Sequence, residues 1–412
     1  MSAVDADTPP VNDPLGSALE RLVARFDPSV FDVGRPLARI RIQAADAQTD
    51  ADAQTDGAGE TYEVVIEDGT ARLTDARGGA DAILTADART WDEIADDVRG
   101  GMTAFRKGRL KIRRDLHLGV GFLAATSQLT GPGRLRVRSV DTAAGSLSTV
   151  EAGTGDAVIM LHGLGATKAS FLPTLGALAP SHRAIAVDLP GFGDSDKPLW
   201  GAYDPRFFAK SMIALLDALE LDRAHFVGNS MGGRVALELG LVHSDRVGRL
   251  VLLAPSMPWV KARPWAPYLR FVPTQLGVFQ PAPRAIIEPI VKQFVPGSDT
   301  EWTAAGIDEF MRSYLTPLGR AAFYAAARNI YLEEPRGAEG LWTRLPDLTA
   351  EALFVWGRKD KLVPLGFKRH VREEVPEAIH LELDCGHVPQ LERPRETHDA
   401  MATFIAKGRA RA

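Results

Sequence analysis

The chain has 412 residues, 45% apolar and 25% charged, with 38 glycines and 27 prolines; this ordinary globular composition excludes collagen-like, coiled-coil and wholly disordered architectures, and the length predicts two or three domains. A formal net charge of −5 gives no reason to expect nucleic acid, and the single cysteine, Cys385, excludes an internal disulfide and a cysteine-rich zinc site. No apolar stretch approaches the roughly 20 residues of a membrane-spanning helix, and the opening MSAVDADTPPVNDP lacks the basic start and apolar run of a secretory signal, so a cytoplasmic protein is expected.

Residues 1–19 are expected to be extended or disordered, and residues 20–130 to form a small α+β domain. ALARIRIQ alternates apolar and polar side chains, as a half-buried strand does. YEVVIEDGTARLT (62–74) reads as two strands turned at Asp68-Gly69, a strong hairpin signal. ADAILTAD is a further strand. TWDEIADDVRGG predicts a helix with Thr90 as N-cap and Glu93 three residues on, the spacing of a capping box. RLKIRRDL is the next strand, and a short apolar helix closes the domain. Between the first two strands the hexamer ADAQTD occurs twice in tandem, at 45–50 and 51–56, and reads as a polar, solvated loop. RKGRLKIRR (106–114) holds six cations and no acid. Such a strand can be a solvated cation row that discourages edge pairing, can meet anionic lipid headgroups, or can dock on an acidic face.

Gly131, Pro132 and Gly133 mark a linker. From residue 134 to 408 the pattern changes to apolar strands alternating with helices: RLRVRSV, SLSTVEA, AVIMLHG, RAIAVDLP, AHFVGNS, RLVLLAP and ALFVWGRKD. Several are apolar throughout, as strands covered on both faces are. This predicts a doubly wound, mostly parallel α/β sheet. The alternation breaks once, over residues 256–345, in a segment rich in Pro, Trp and Phe. That segment is expected to be an inserted helical cap over one end of the sheet.

FVGNSMGGRVALELG places Gly228-Asn229-Ser230-Met231-Gly232 between an apolar strand and an amphipathic helix. This is G-x-S-x-G in the setting a nucleophile elbow requires, where glycines relieve crowding around a strained serine. A serine nucleophile needs a base, an orienting acid and an oxyanion hole. His387, in DCGHVPQLERP after the last strand, is the candidate base. Asp360, in WGRKDKLVP, is the candidate acid, with Asp384 as a competitor close in sequence to His387. The oxyanion donors are expected to be the backbone N–H groups of Met231 and Leu164, the latter in the loop His162-Gly163-Leu164-Gly165. His162 reads as an anchor for that loop, and Cys385 as packing.

HGLGATKASF, DLPGFGDSDKP (188–198), VGNSMGGR and CGHVPQLERP together resemble the α/β-hydrolase superfamily, and within it the bacterial lipases and esterases of the monoacylglycerol-lipase-like group. Haloalkane dehalogenases and epoxide hydrolases share the second motif but carry aspartate at the elbow, which Ser230 argues against. Carbon–carbon-bond hydrolases of aromatic ring-cleavage pathways share the GNSMGG elbow; they usually place aromatic residues after the histidine, where this chain has Val388-Pro389-Gln390. Residues 20–129 resemble the sterol-carrier-protein-type lipid-binding domain, on the strength of the stretch 80–116; they depart from it at Arg114, where a glycine is usual, and in the tandem hexamer insertion. The resemblances imply a serine carboxylic-ester hydrolase for lipophilic acyl esters, needing no metal or cofactor. They also imply a lipid ligand in the N-terminal domain and peripheral membrane contact. The alternatives are a carbon–carbon hydrolase of the ring-cleavage-product type, or a lipid-binding or transfer protein with a vestigial hydrolase domain.

Overall fold

Glycine-bounded apolar runs and short polar turns build two sheets in this chain. The computed structural model describes residues 14–45, 60–96, 104–105, 108–259 and 301–408, apart from 32, 34, 77, 130 and 132, together with 271, 273–280, 283–286 and 289. The first 13 residues, the tandem hexamer beyond Ala45, Arg106, Lys107 and the Pro- and Trp-rich middle of the insertion lie outside the described residues. The chain divides into two units, Met1–Arg138 and Ser139–Ala412.

In the first unit, β1 (Leu37–Ala44), β2 (Thr61–Glu67), β3 (Thr70–Asp75), β4 (Ala82–Ala86) and β5 (Lys111–Arg113) form a sheet in the order β3-β2-β1-β4-β5. β2 and β3 meet at Asp68 and Gly69, whose φ values of 47° and 73° are those of a primed hairpin turn. Ala38, Ile40 and Ile42 alternate into the core. The helix Ala88–Asp96 begins earlier than its sequence pattern predicts. Asp87, not Thr90, caps it: the Asp87 carboxylate accepts from the Thr90 N–H at 2.7 Å and from its hydroxyl at 3.1 Å. Asp is as strong a cap as Thr, and Glu93 turns to Arg89 and Arg109 instead of closing a capping box.

The apolar helix Leu116–Ala125 is capped by Asp115, which accepts from the Leu118 N–H at 2.8 Å. It packs closely at its two glycines: a Cβ added at Gly119 would lie 2.5 Å from Ile112, and one at Gly121 2.3 Å from Phe31. The basic run is partly consumed within the unit, since Arg109 pairs with Glu93 and Arg114 donates to the Ala80 carbonyl at 2.6 Å.

In the second unit, with β6 (Arg136–Thr142) spanning the boundary, β7 (Gly145–Ala152), β8 (Ala157–Leu161), β9 (Arg183–Val187), β10 (Ala224–Asn229), β11 (Val247–Leu253), β12 (Ala352–Gly357) and β13 (Ile379–Leu383) complete a sheet in the order β13-β12-β11-β10-β8-β9-β7-β6. Pairing is parallel from β13 to β9 and antiparallel between β7 and β9. Every residue of β8 and β12 is buried, which is why those strands are continuously apolar. This is an α/β-hydrolase fold with an inserted helical cap. Of the cap, the structure describes chiefly the helices Glu301–Tyr314 and Pro317–Leu332, between β11 and β12. The loops that carry chemistry leave the carboxyl ends of β8, β10, β12 and β13.

Candidate active site

Ser230 stands between the end of β10 and the helix Met231–Val242, with φ 53° and ψ −116°. A non-glycine residue in that region is strained and persists only where its surroundings over-determine it. Here its N–H donates to the Leu253 carbonyl at 3.0 Å, and its own carbonyl accepts from Ser256 at 2.9 Å and Arg234 at 3.0 Å. The turn closes because two side chains are missing. A Cβ at Gly228 would lie 2.3 Å from the Gly232 oxygen, and one at Gly232 would lie 2.0 Å from the Leu161 oxygen.

The loop after β8 runs alongside the serine: a Cβ at Gly163 would sit 3.2 Å from the Ser230 Cβ. Leu164 follows Gly163 in that loop, and Met231 follows Ser230 and opens the nucleophile helix. His162 is fully buried, and its Nε2 accepts from the Leu189 N–H at 3.0 Å. The proton therefore sits on Nδ1, which donates to the Gly163 carbonyl at 2.8 Å. Burial holds this imidazole below its usual pKa and hence neutral. It anchors the loop.

Asp360, after β12, and His387, after β13, meet with Nδ1 to Oδ2 at 2.8 Å, the aspartate side chain fully buried. The other carboxylate oxygen accepts from the N–H groups of Leu362 at 2.8 Å and Val363 at 2.9 Å. The charge is thus held by hydrogen bonds on both oxygens, and the imidazole is left to present Nε2. Asp384 is half-exposed and paired with Lys359 at 3.0 Å and Arg393 at 3.7 Å. The Lys359 ammonium holds its carboxyl below the usual range. Cys385 is buried, and burial pushes its thiol up to about 12, which leaves it packing rather than reacting.

Two supports of this arrangement escape a reading of motifs. The Asn229 Nδ2 donates both to the Leu253 carbonyl and to the His387 carbonyl, each at 3.0 Å. Glu392 accepts from the Gly386 N–H at 2.6 Å and from the Val388 N–H at 2.9 Å, one carboxylate oxygen each, so it brackets His387 from both sides. The five-residue spacing from His387 to Glu392 was the available signal. It needed the short helix Pro389–Glu392 to become visible.

The family model described as "alpha/beta hydrolase fold" matches residues 156–394, more than half of the chain. The chain is 30% identical, over 280 residues, to a 2-hydroxy-6-oxo-6-phenylhexa-2,4-dienoate hydrolase of Burkholderia cepacia, covering 63% of this chain and 90% of that protein. It is 29% identical, over 273 residues, to a 2-hydroxymuconate semialdehyde hydrolase of Pseudomonas sp. strain CF600, covering 64% and 91%. Among solved structures, the enol-lactonase of Burkholderia xenovorans LB400 shares the fold at 20% identity and TM-score 0.55, covering 66% of this chain and all of that one.

These relatives overturn the expected monoacylglycerol-lipase-like esterase with a sterol-carrier-type lipid domain, together with the lipophilic acyl ester, lipid ligand and membrane surface expected as its partners. Val388-Pro389-Gln390 after the histidine does not exclude carbon–carbon hydrolysis, because the remaining motifs are shared by ester and carbon–carbon hydrolases. Among the described residues no helix is long and apolar enough to cross a membrane. The chain belongs to the α/β hydrolase fold family, as one of its serine hydrolases.

Proposed function

We propose that the protein hydrolyses a carbon–carbon bond in 2-hydroxy-6-oxo-dienoates, with Ser230 as nucleophile, His387 as base and Asp360 as the acid that orients it. The observation that carries the substrate class is the similarity to the Burkholderia cepacia hydrolase along most of that protein's length. The strained elbow and the Asp360–His387 hydrogen bond support the roles.

In such a compound the 2-hydroxyl, the two double bonds and the 6-oxo group form one conjugated system. Moving the hydroxyl proton to C5 gives a 2,6-dioxo form with an isolated ketone at C6. Ser230 Oγ attacks C6 while His387 Nε2 takes its proton, and Asp360 keeps the imidazole proton on Nδ1 and stabilises the imidazolium. The oxyanion develops against the N–H groups of Met231 and Leu164, which are worth several kcal/mol in this role, at roughly 3 kcal/mol per donor. As the tetrahedral centre collapses, the C5–C6 bond breaks. Its electron pair spreads through C3–C4 onto the C2 oxygen, and the fragment leaves as a 2-hydroxydienoate after taking the proton from His387. Water then adds to the acyl-serine with His387 again as base. The products are one carboxylic acid and the free enzyme, with one water consumed.

The test is the decay of dienoate absorbance when 2-hydroxy-6-oxo-6-phenylhexa-2,4-dienoate is added, with benzoate and 2-hydroxypenta-2,4-dienoate as products. Turnover that Ser230→Ala abolishes is expected. No turnover from a protein whose Ser230 still reacts with a fluorophosphonate would reject the substrate class and leave the nucleophile standing.

A further inference from the structure

The motif DLPGFGDSDKP has no part in the reaction as written, yet it lies at the centre of a buried chain of charges. Asp188, at the end of β9, is fully buried. Its Oδ1 accepts from the Lys168 N–H at 2.6 Å, and its Oδ2 accepts from the Lys168 ammonium at 2.6 Å and the Asp194 N–H at 2.9 Å. Lys168 is four residues beyond Leu164 and begins the short 3₁₀ turn Lys168–Phe171. Both ends of this lysine, main chain and side chain, are therefore pinned to one carboxylate. The path taken by the loop from Gly163 to Thr167 depends on that attachment.

The same ammonium reaches Asp194 at 3.2 Å. Asp194 in turn is held from the cap: Arg312 donates to its two oxygens at 2.6 and 3.1 Å. Glu309, one turn back on the same helix, orients that guanidinium at 2.9 Å. A paired fork of this kind fixes direction as well as distance. The helix Glu301–Tyr314 touches the loop a second time through Phe310. Gly165 has φ 76°, and a Cβ there would lie 2.6 Å from the Phe310 ring. Behind that ring stand Tyr314, stacked at 5.1 Å, and Phe323, edge-on at 5.8 Å. One cap helix thus seats on the oxyanion loop at two points, a ring on Gly165 and an ion chain ending on Lys168.

We propose that Arg312 is a positioning residue that acts through Asp194 and Lys168 to hold the Leu164 N–H where the oxyanion forms, so that seating of the cap and completion of the oxyanion hole are one event. This rests on the role given above to Leu164 and Ser230, and not on the identity of the carbon substrate. When the cap helix is seated, Asp194 is neutralised from both sides, by Lys168 and Arg312. Without Arg312, Asp194 competes with Asp188 for the lysine, and the loop that follows the oxyanion strand loses its single position.

The experiment is fluorophosphonate labelling of Ser230 in the full chain, resolved into a binding constant and a maximal labelling rate. Phosphonylation loads negative charge onto an oxygen in the oxyanion hole, so the maximal rate reads that hole directly. Arg312→Gln is expected to lower the maximal rate about tenfold with the binding constant unchanged, and Arg312→Lys to recover most of it. Asp194→Asn should cause a similar loss, and the double variant should lose no more than either single one, because the two residues act through one contact. An unchanged maximal rate in Arg312→Gln, additive losses in the double variant, or a loss confined to the binding constant would each overturn the proposal while leaving the proposed function intact. Failure of the unsubstituted protein to label would overturn the Ser230 assignment and this inference with it.

Discussion

The side-chain amide of Asn229 donates to the main-chain carbonyl of His387 at 3.0 Å, tying the residue before the nucleophile to the residue proposed as its base. The two lie 158 positions apart in sequence. The same amide also reaches the Leu253 carbonyl, which already accepts from the Ser230 N–H. Both the strand after the nucleophile and the histidine loop are thereby indexed to one side chain. Asn229→Ala removes both bonds, but chiefly strands the His387 carbonyl, since Leu253 keeps another donor. Turnover should fall by about 10²-fold, the order expected when a catalytic group is displaced by about 1 Å. Stability should fall by only about 1–3 kcal/mol. Steady-state kinetics alongside thermal unfolding separates the two; turnover within twofold of the unsubstituted protein would remove Asn229 from the positioning apparatus.

Asp360→Asn should fold and yet lose about 10⁴-fold in turnover, because an amide can donate to Nδ1 and stabilise the wrong imidazole tautomer. Its hydrogen bonds to the Leu362 and Val363 N–H groups can survive through the amide oxygen. Asp384→Asn should stay near the unsubstituted rate, since that carboxylate faces Lys359 and Arg393 at the surface. The reverse ranking of the two variants would reassign the acid.

Glu392→Gln should harm the histidine loop although it is nearly isosteric. The carboxylate accepts from two N–H groups with two oxygens. Glutamine offers one oxygen and turns an NH₂ toward the second donor, so one buried N–H is left opposed. A stability loss of about 1–3 kcal/mol is expected, with a drop in turnover that Glu392→Asp does not repair because the shorter side chain cannot bracket both positions. Thermal unfolding and turnover measured on both variants check this; wild-type values for Glu392→Gln would count against the bracket.

Acid should destabilise the fold before carboxylates begin to titrate. Burial lowers the imidazoles of His225, His380 and His398 to about 4, whereas in an unfolded chain they protonate near 6.5. Between those values the unfolded state binds more protons than the folded one, so stability rises with pH. The contribution is complete above about pH 6.5 and is lost progressively as pH falls toward 4. Two of the rings accept hydrogen bonds that protonation would break, His225 from the Arg249 N–H at 2.9 Å and His380 from the Trp356 indole at 3.0 Å. Denaturant midpoints at pH 7.5, 6.0 and 4.5 should descend, and His225→Asn, which keeps an acceptor without the titration, should flatten the descent. A constant midpoint over this range would contradict partly buried neutral rings.

Local backbone chemistry is written in the sequence wherever a residue type is forced by its own neighbours. The turn at Ser230 is legible because Gly228 and Gly232 are the residues that let a strand fold back onto a helix there, and the hairpin at Asp68-Gly69 because few other pairs accept two positive φ angles. The wholly apolar β8 and β12 announce a sheet covered on both faces. Even locally there are limits: Asp87 and Thr90 are both good caps three residues apart, and the choice of Asp87 needed the third dimension. The substrate class was misread for a related reason, since the elbow does the same work whether an alkoxide or a carbanion leaves, and short motifs record that work alone. Only the tertiary structure decided that Asn229 and Glu392 hold His387, that Asp384 belongs to Lys359, and that Arg312 reaches the loop beyond β8 through Asp194 and Lys168. Apart from Glu392, close in sequence to His387, these contacts join residues whose separation along the chain carries no period. The chain from Arg312 exists because packing the cap on the sheet encloses Asp188 and Lys168, and a buried charge must find a partner.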